Sequence, residues 1–577
     1  MDSFKNIFLN FSKELKKKID KLDIFVKKYK DISQTAQIPS TAYMNWGIEL
    51  AQNGDVDEAI DKFRTASLMA SQNPGVYINL GITFLRQKNF EEAIKNFRQA
   101  VKVDKYNAKA YALWGSALSE IGDLKGAIDI YQLAQKYDSR DPDIYLNWGI
   151  SLARAGKKLE AREKFKKSVS LNPINPITSF LWGLILYEDA EFAEAISKFS
   201  HSLIYSQDKY DSLYYIALCY LKLGDYKNSL SYALKALDTD NTQTDAYIVL
   251  ADCYLHTGEE DNCLKAFDDA NKSAKPNTQF LINWGLAFQH YHHIDEAREK
   301  LYQALMLEPA NPVILFNLGI NFLLGKEYTQ AEEFFKKVLD VNPEHSQALF
   351  NLGALTFDKG DYHTALDYYK KSLRIDKKNT RIYFNMANCF YKLGLFDDAA
   401  KYFKKCIEYC PDCVQAYINY AHLLADIGES ADAQRKARAA YLIDKDSAYV
   451  NFAVGVVYLK LKIYDNALEK FANSLRLSSD YYPASLGIAE IYCRKGDYEK
   501  SLSVFDSFSD DIKNKTEYWD ILLLVLQTIA NDSVTSQSVV NYALQYCNKF
   551  LEQYNNDKIL DVQRKLLEKI NQLEANK

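Results

Sequence analysis

Residues 312–345 read PVILFNLGINFLLGKEYTQAEEFFKKVLDVNPEH, and residues 346–379 continue directly as SQALFNLGALTFDKGDYHTALDYYKKSLRIDKKN. Laid one over the other, they put Gly319 above Gly353, Ala331 above Ala365 and Phe335 above Tyr369, each pair 34 residues apart. The same step holds in both directions. Gly47, Gly81, Gly115, Gly149, Gly183, Ala217, Ala251, Gly285, Gly319, Gly353, Ala387, Ala421, Gly455 and Ala489 follow one another at intervals of 34 with no slip. With Gly and Ala together at roughly one residue in six, fourteen hits in a row have a chance probability on the order of 10^-11. The chain is a repeating array.

Twelve residues after each small residue stands a second one, as in Ala59, Ala93, Ala331 and Ala467, and four residues later usually an aromatic, as in Phe63, Phe97, Tyr131, Phe335 and Phe403. Two small side chains let two helices approach, and the ring fills the space beside them. Nine further glycines, from Gly54 to Gly496, fall seven residues after the first small residue, where a helix must stop and turn. Lys88, Ala190, His292, Lys326 and Lys462 replace that glycine elsewhere. All eleven prolines fall between units or at the start of a helix, where a missing N–H costs nothing.

A helix–turn–helix unit of 34 residues with these small residues, rings and linker prolines resembles the tetratricopeptide repeat. The resemblance covers fourteen units over residues 40–515, numbered below as positions 1 to 34 with the first Gly or Ala at position 8. It implies an all-α, right-handed superhelical solenoid with helical caps. Ala233 and Ala437 stand where the ring is expected, so units six and twelve are expected to pack less tightly. Residues 516–577 read as a degenerate repeat plus a capping helix, with helices around Tyr518–Ala530, Val539–Leu551 and Ile559–Leu573, since the last repeat exposes an apolar face that something must cover.

Residues 1–39 carry Phe4, Ile7, Phe8, Phe11, Leu15, Ile19, Leu22, Val26 and Tyr29 at steps of three and four, with nine Lys against five acidic residues. This is a basic amphipathic helix. It either packs on the first repeat or on its own copy, or meets a membrane or a partner helix. The oligomeric state is left open.

In tetratricopeptide proteins the first helix of each unit lines a concave groove, chiefly through positions 2, 5, 6, 9, 12 and 13. Position 6 is Asn in five successive units: Asn283, Asn317, Asn351, Asn385 and Asn419. A carboxamide both donates and accepts, so the row is suited to the backbone of an extended peptide. It resembles the asparagine ladder in the repeat region of O-linked N-acetylglucosamine transferases. The alternative is that Asn is simply common at this place in the repeat's consensus. Ile282, Phe316, Phe350 and Phe384 at position 5, Leu286 and Ile320 at position 9, and Phe357 and Tyr391 at position 12 add an apolar strip, or else serve packing between units, and Asn388 at position 9 joins the expected groove residues. These residues make units eight to eleven the expected site for a protein or peptide ligand. The basic clamp by which related proteins hold a terminal carboxylate is not expected, because position 5 is never Lys and position 9 is Asn only at Asn388.

Composition excludes other classes. A net charge of -5 with 48% hydrophobic and 25% charged residues describes a soluble folded chain and argues against nucleic acid. Without a signal peptide or a run of about twenty apolar residues, the expected compartment is the cytoplasm. Cys406, Cys410 and Cys413 have the spacing of a cluster-binding motif, but Cys406 holds a packing position of the repeat, and His290, His292 and His293 lie at a turn with nothing to complete a metal site. No cofactor, metal or catalytic residue is expected. The function read from the sequence is a protein-interaction scaffold, with a membrane-peripheral assembly factor docking through residues 1–39 as the alternative.

Overall fold

The computed structural model describes residues 39–513, 515–551 and 557–575, so the N-terminal helix expected within residues 1–39 lies outside the described residues. Among the described residues all regular structure is helical. From Ser40 to Asp506 the helices come in pairs, such as Ser40–Asn53 with Val56–Met69, Pro142–Arg154 with Lys158–Leu171, and Ser346–Asp358 with Tyr362–Ile375. The first helix of each pair is called helix A below and the second helix B.

The turn between them has one backbone solution throughout. Position 15 takes a left-handed φ, between 72° and 93° at the nine glycines. Lys88, Ala190, His292, Lys326 and Lys462, the five residues that replace glycine, are held at 60° to 63°. What fixes the conformation is the hydrogen bonding: the N–H of position 16 reaches back to the carbonyl of position 11, as in Asn89 to Phe84 (2.9 Å) and Glu327 to Phe322 (2.8 Å). That satisfies a carbonyl at the end of helix A which would otherwise be orphaned. An L-residue in the left-handed region costs roughly 1–2 kcal/mol, partly offset in glycine by its looser unfolded chain. Ala190→Gly is therefore expected to stabilise unit five by about 0.5–1 kcal/mol. Hydrogen exchange over residues 176–209 reads this directly, and faster exchange in the variant would contradict it.

Helices A and B meet through the small residues. A Cβ added to Gly353 would lie 2.6 Å from the Tyr369 ring, and one added to Gly149 2.6 Å from Phe165. Ala59, Ala93, Ala127 and Ala331 at position 20 are fully buried on the other side of the contact. Position 27 adds a polar tie, with Ser168, Ser372 and Ser474 donating to the carbonyls of Pro142, Ser346 and Ala448 at position 1 (2.9, 2.9 and 2.8 Å). Where Ala233 leaves out the ring of unit six, Tyr232 stacks on Tyr220 at 5.6 Å from the neighbouring position, and Ala233 itself is fully buried.

The chain divides into two compact bodies, one ending at Ala304 and the other beginning at Leu305. In the first, a core runs from Ala59 through Phe97, Tyr131 and Phe165 to Cys219. The second holds a core from Ala365 through Phe403 to Ile491, and a further one that joins Phe505 to Tyr518, Val525, Cys547 and Leu566. The residues of that last core come from unit fourteen and from three more helices, Thr516–Asn531, Gln537–Leu551 and Asp557–Ala575. Helix B of unit fourteen, Tyr498–Asp506, is short: the chain leaves it at Ser507, whose hydroxyl turns back to the Val504 carbonyl (2.7 Å).

Candidate peptide-binding face

In the second body, helix A of units nine to twelve spans Pro312–Leu324, Ser346–Asp358, Thr380–Lys392 and Val414–Asp426. Each buries positions 3 and 7 in the stack: Ile314 and Leu318, Ala348 and Leu352, Ile382 and Met386, Ala416 and Tyr420. The helical period then leaves positions 2, 6, 9 and 13 on a different stripe of the helix. Asn317, Asn351, Asn385 and Asn419 at position 6 are half-buried, one per helix.

Their side chains differ in what they already hold. The Asn419 amide donates to Asn388 Oδ1 of the preceding unit at 2.9 Å. Asn385 meets the hydroxyl of buried Tyr369. No side-chain hydrogen bond from the described residues engages Asn351.

The rings of the expected strip are half-buried as well, because each packs on helix B of its own unit. Phe316 lies 5.7 Å from Phe335 and 4.9 Å from His345, Phe350 lies 5.7 Å from Tyr369, and Phe384 lies 6.3 Å from Phe403. The Arg381 guanidinium sits over the Phe350 ring at 4.9 Å. Phe357 packs on Tyr362 at 5.2 Å and Tyr391 on Phe396 at 6.2 Å, while Ile320 is half-buried. Packing and display are thus shared by the same side chains.

One end of this face is a polar knot. Tyr391 donates to the Asp426 carboxylate, which also receives Lys460 at 2.8 and 3.0 Å. Burial and that carboxylate push the Tyr391 hydroxyl up to about 12. Burial works against the Asp426 charge, yet the bonds from Lys460 and Tyr391 hold its carboxyl below the ordinary value. His422, at position 9 of the same helix, is pushed down to about 4, by burial first and then by Lys460, so its imidazole is neutral at physiological pH.

In the first body, Asn283 lies on helix Thr278–His290 and accepts from Gln279 at 3.1 Å. Ile282, one residue before it, is only 3% exposed and so contributes no surface. Asn283 lines a cavity of about 250 Å³ with Leu286, His290, Asp252, Leu255 and Phe267. Burial raises the Asp252 carboxyl above its ordinary value. Sequence reading passed over this cavity. The signal was a carboxylate at position 9, where neighbouring units carry apolar or amide side chains. Among the described residues no group of three or more His, Cys, Asp or Glu is placed to hold a metal ion, and no helix is long and apolar enough to cross a membrane.

Paired helices in constant register, with one amide per unit on a half-exposed stripe, define a helical-repeat protein. Three tetratricopeptide-repeat family models match it, over residues 380–413, over 312–378, and over 44–108, 78–143 and 180–245. The matched stretches are tetratricopeptide repeats, and the chain has the all-α solenoid fold of that repeat. Among solved structures it is similar to pilF of Pseudomonas aeruginosa, at 24% identity over 38% of this chain and 97% of that one, with a TM-score of 0.34. It is also similar to the Cut9–Hcn1 tetramer of APC/C, at 14% identity over 78% and 96%, TM-score 0.38. A third is YrrB, described as having an unusual peptide-binding site, at 21% identity over 32% and 96%, TM-score 0.28. These likenesses carry no argument about function. No curated protein matches the chain.

Proposed function

We propose that this chain is a cytoplasmic scaffold that binds an extended segment of another protein along helix A of units nine to twelve, and is not an enzyme. Tetratricopeptide repeats in general mediate protein–protein interaction. The observation that carries the finer reading is the Asn317, Asn351 and Asn385 row: three half-buried amides at one register position, the middle one with no internal side-chain partner. Packed helices lie about 8–10 Å apart. An extended strand rises about 3.3 Å per residue, so it would meet one amide about every third residue. The half-buried edges of Phe316, Ile320, Phe350, Phe357 and Phe384 would take alternate side chains, while Asn388, Asn419 and Tyr391 close one end.

The test is a tagged full-length chain carrying Asn317→Ala, Asn351→Ala and Asn385→Ala. Proteins captured by the wild-type chain are identified by mass spectrometry, and the affinity of each purified partner is measured for both forms. At about 0.5–1.5 kcal/mol per hydrogen bond, the triple variant is expected to bind about tenfold more weakly or worse, with its helical circular-dichroism spectrum retained. Full-strength binding by the variant removes the amide row from the mechanism.

A further inference from the structure

Position 34 is where this chain caps the helix A that follows. Asn73, Asn107, Asn175, Asn311 and Asn379 accept a backbone N–H there. In unit eleven the residue is Cys413, in front of Val414–Asp426. Its sulfur lies near the Ala416 N–H without making a regular capping bond.

Two more cysteines are folded onto the same bend. The Cys410 N–H donates to the Cys406 carbonyl at 2.9 Å, and the Cys413 N–H to the Cys410 carbonyl at 3.2 Å. Cys406 is fully buried with Tyr383 and Ala416, and Cys413 packs against that cluster. Cys413 remains partly open to water. Cys410 is turned to a different partner, the Asp412 carboxylate, at 3.1 Å.

We propose that Cys413 is a peroxide-reactive thiolate and that Cys406 is the thiol that resolves it to a disulfide. The charges support this assignment. Pairing with the Cys406 thiol first, and then the Ala416 N–H, lowers Cys413 below the ordinary thiol value, and the same pairing together with burial raises Cys406 above it. The bond from Cys410 to Asp412 pushes Cys410 up to about 11, so it stays protonated and unreactive.

In the first step the Cys413 sulfur attacks one oxygen of hydrogen peroxide. An S–O bond forms, the O–O bond breaks, and hydroxide leaves and takes a proton from solvent. In the second step the Cys406 thiol gives up its proton and its sulfur attacks the sulfenic sulfur; an S–S bond forms, and the S–O bond breaks with loss of water. Two thiols are oxidised by two electrons, and one peroxide becomes two waters. The Cys406 sulfur must leave the Thr380 carbonyl it now approaches at 3.5 Å, at the start of the helix that carries Phe384 and Asn385. The assignment is independent of whether a peptide binds there.

The test treats the full-length chain with hydrogen peroxide, blocks free thiols with iodoacetamide and cleaves before Asp412, which separates Cys413 from Cys406 and Cys410 unless a disulfide joins them. The joined fragments are expected in the wild type and in Cys410→Ser, and not in Cys406→Ser or Cys413→Ser. In Cys406→Ser, dimedone should label Cys413 at least tenfold more than Cys410. Cys406→Ser and Cys413→Ser place a residue the repeat already uses at those positions, as at Ser372 and Ser447, so folding is preserved. A linkage lost in Cys410→Ser, or dimedone labelling no stronger at Cys413 than at Cys410, overturns the assignment.

Discussion

Replacing Gly81 by valine is expected to unfold residues 74–107 well before the rest of the first body. A Cβ at residue 81 would stand 2.4 Å from Cε1 of Phe97 and 2.7 Å from two more atoms of that ring, and Phe97 is fully buried with no room to retreat. Alanine is accommodated at the same position of unit eleven, where Ala387 and Phe403 are both fully buried, so Gly81→Ala is the milder change. Valine adds two branched methyls to a filled contact. Overpacking costs about 1–3 kcal/mol or more, and the β-branch disfavours the helix further. Removing the ring instead, in Phe97→Ala, is expected to cost about 3–5 kcal/mol through the cavity it leaves. Because the two changes share one contact, the double variant should be less damaged than the sum of the singles. Hydrogen exchange resolved by segment is the measurement, since repeat arrays open locally. Protection of residues 74–107 unchanged in Gly81→Val would mean that the ring is not pinned as described.

Ending the chain after Lys515 is expected to be the more damaging change. Leu486, Cys493, Leu502 and Phe505 of unit fourteen are buried only in company with Tyr518, Leu522, Val525, Leu526 and the two helices that follow. Each large apolar side chain returned to water costs about 1.5–3 kcal/mol, so Leu486, Leu502 and Phe505 together exceed what one repeat can supply. Residues 482–513 should lose their exchange protection, and the shortened chain should bind a dye for exposed apolar surface and aggregate. A truncated chain that stays monomeric, with residues 482–506 still protected, would show that the last three helices are not a cap.

Much of this was legible because the repeat writes its packing into a fixed step. The small residue, the alanine twelve further on and the ring four beyond that are one contact seen three times in the sequence. Even the exceptions were readable: Lys88, Ala190, His292, Lys326 and Lys462 stand in the turn position, and the turn bends them as it bends glycine. The candidate face was legible in its register and opaque in its state. Nothing in a single unit says that Asn388 and Asn419, 31 residues apart, spend their amides on each other, or that Tyr391 donates to Asp426 in the next unit. Nor does an apolar pattern say how much of a ring is used up, since Phe350 and Ile282 hold the same position, one half-exposed and the other buried. Position 34 was missed for a simpler reason: a capping Asn beside a linker looks like any polar loop residue until its oxygen is seen on a backbone N–H.

That capping joint also governs how such a chain can change length. Asp141 precedes Pro142 and accepts the N–H of Asp143, and Asn175 precedes Pro176 and accepts the N–H of Ile177, so the two seams are chemically alike. Excising residues 142–175 would bring Asp141 against Pro176 and recreate a seam the molecule already contains. Any cut that is not a whole multiple of the step would instead put the ring out of register with the small residue it packs on. The array is therefore quantised: its span can grow or shrink by whole links, and by nothing smaller.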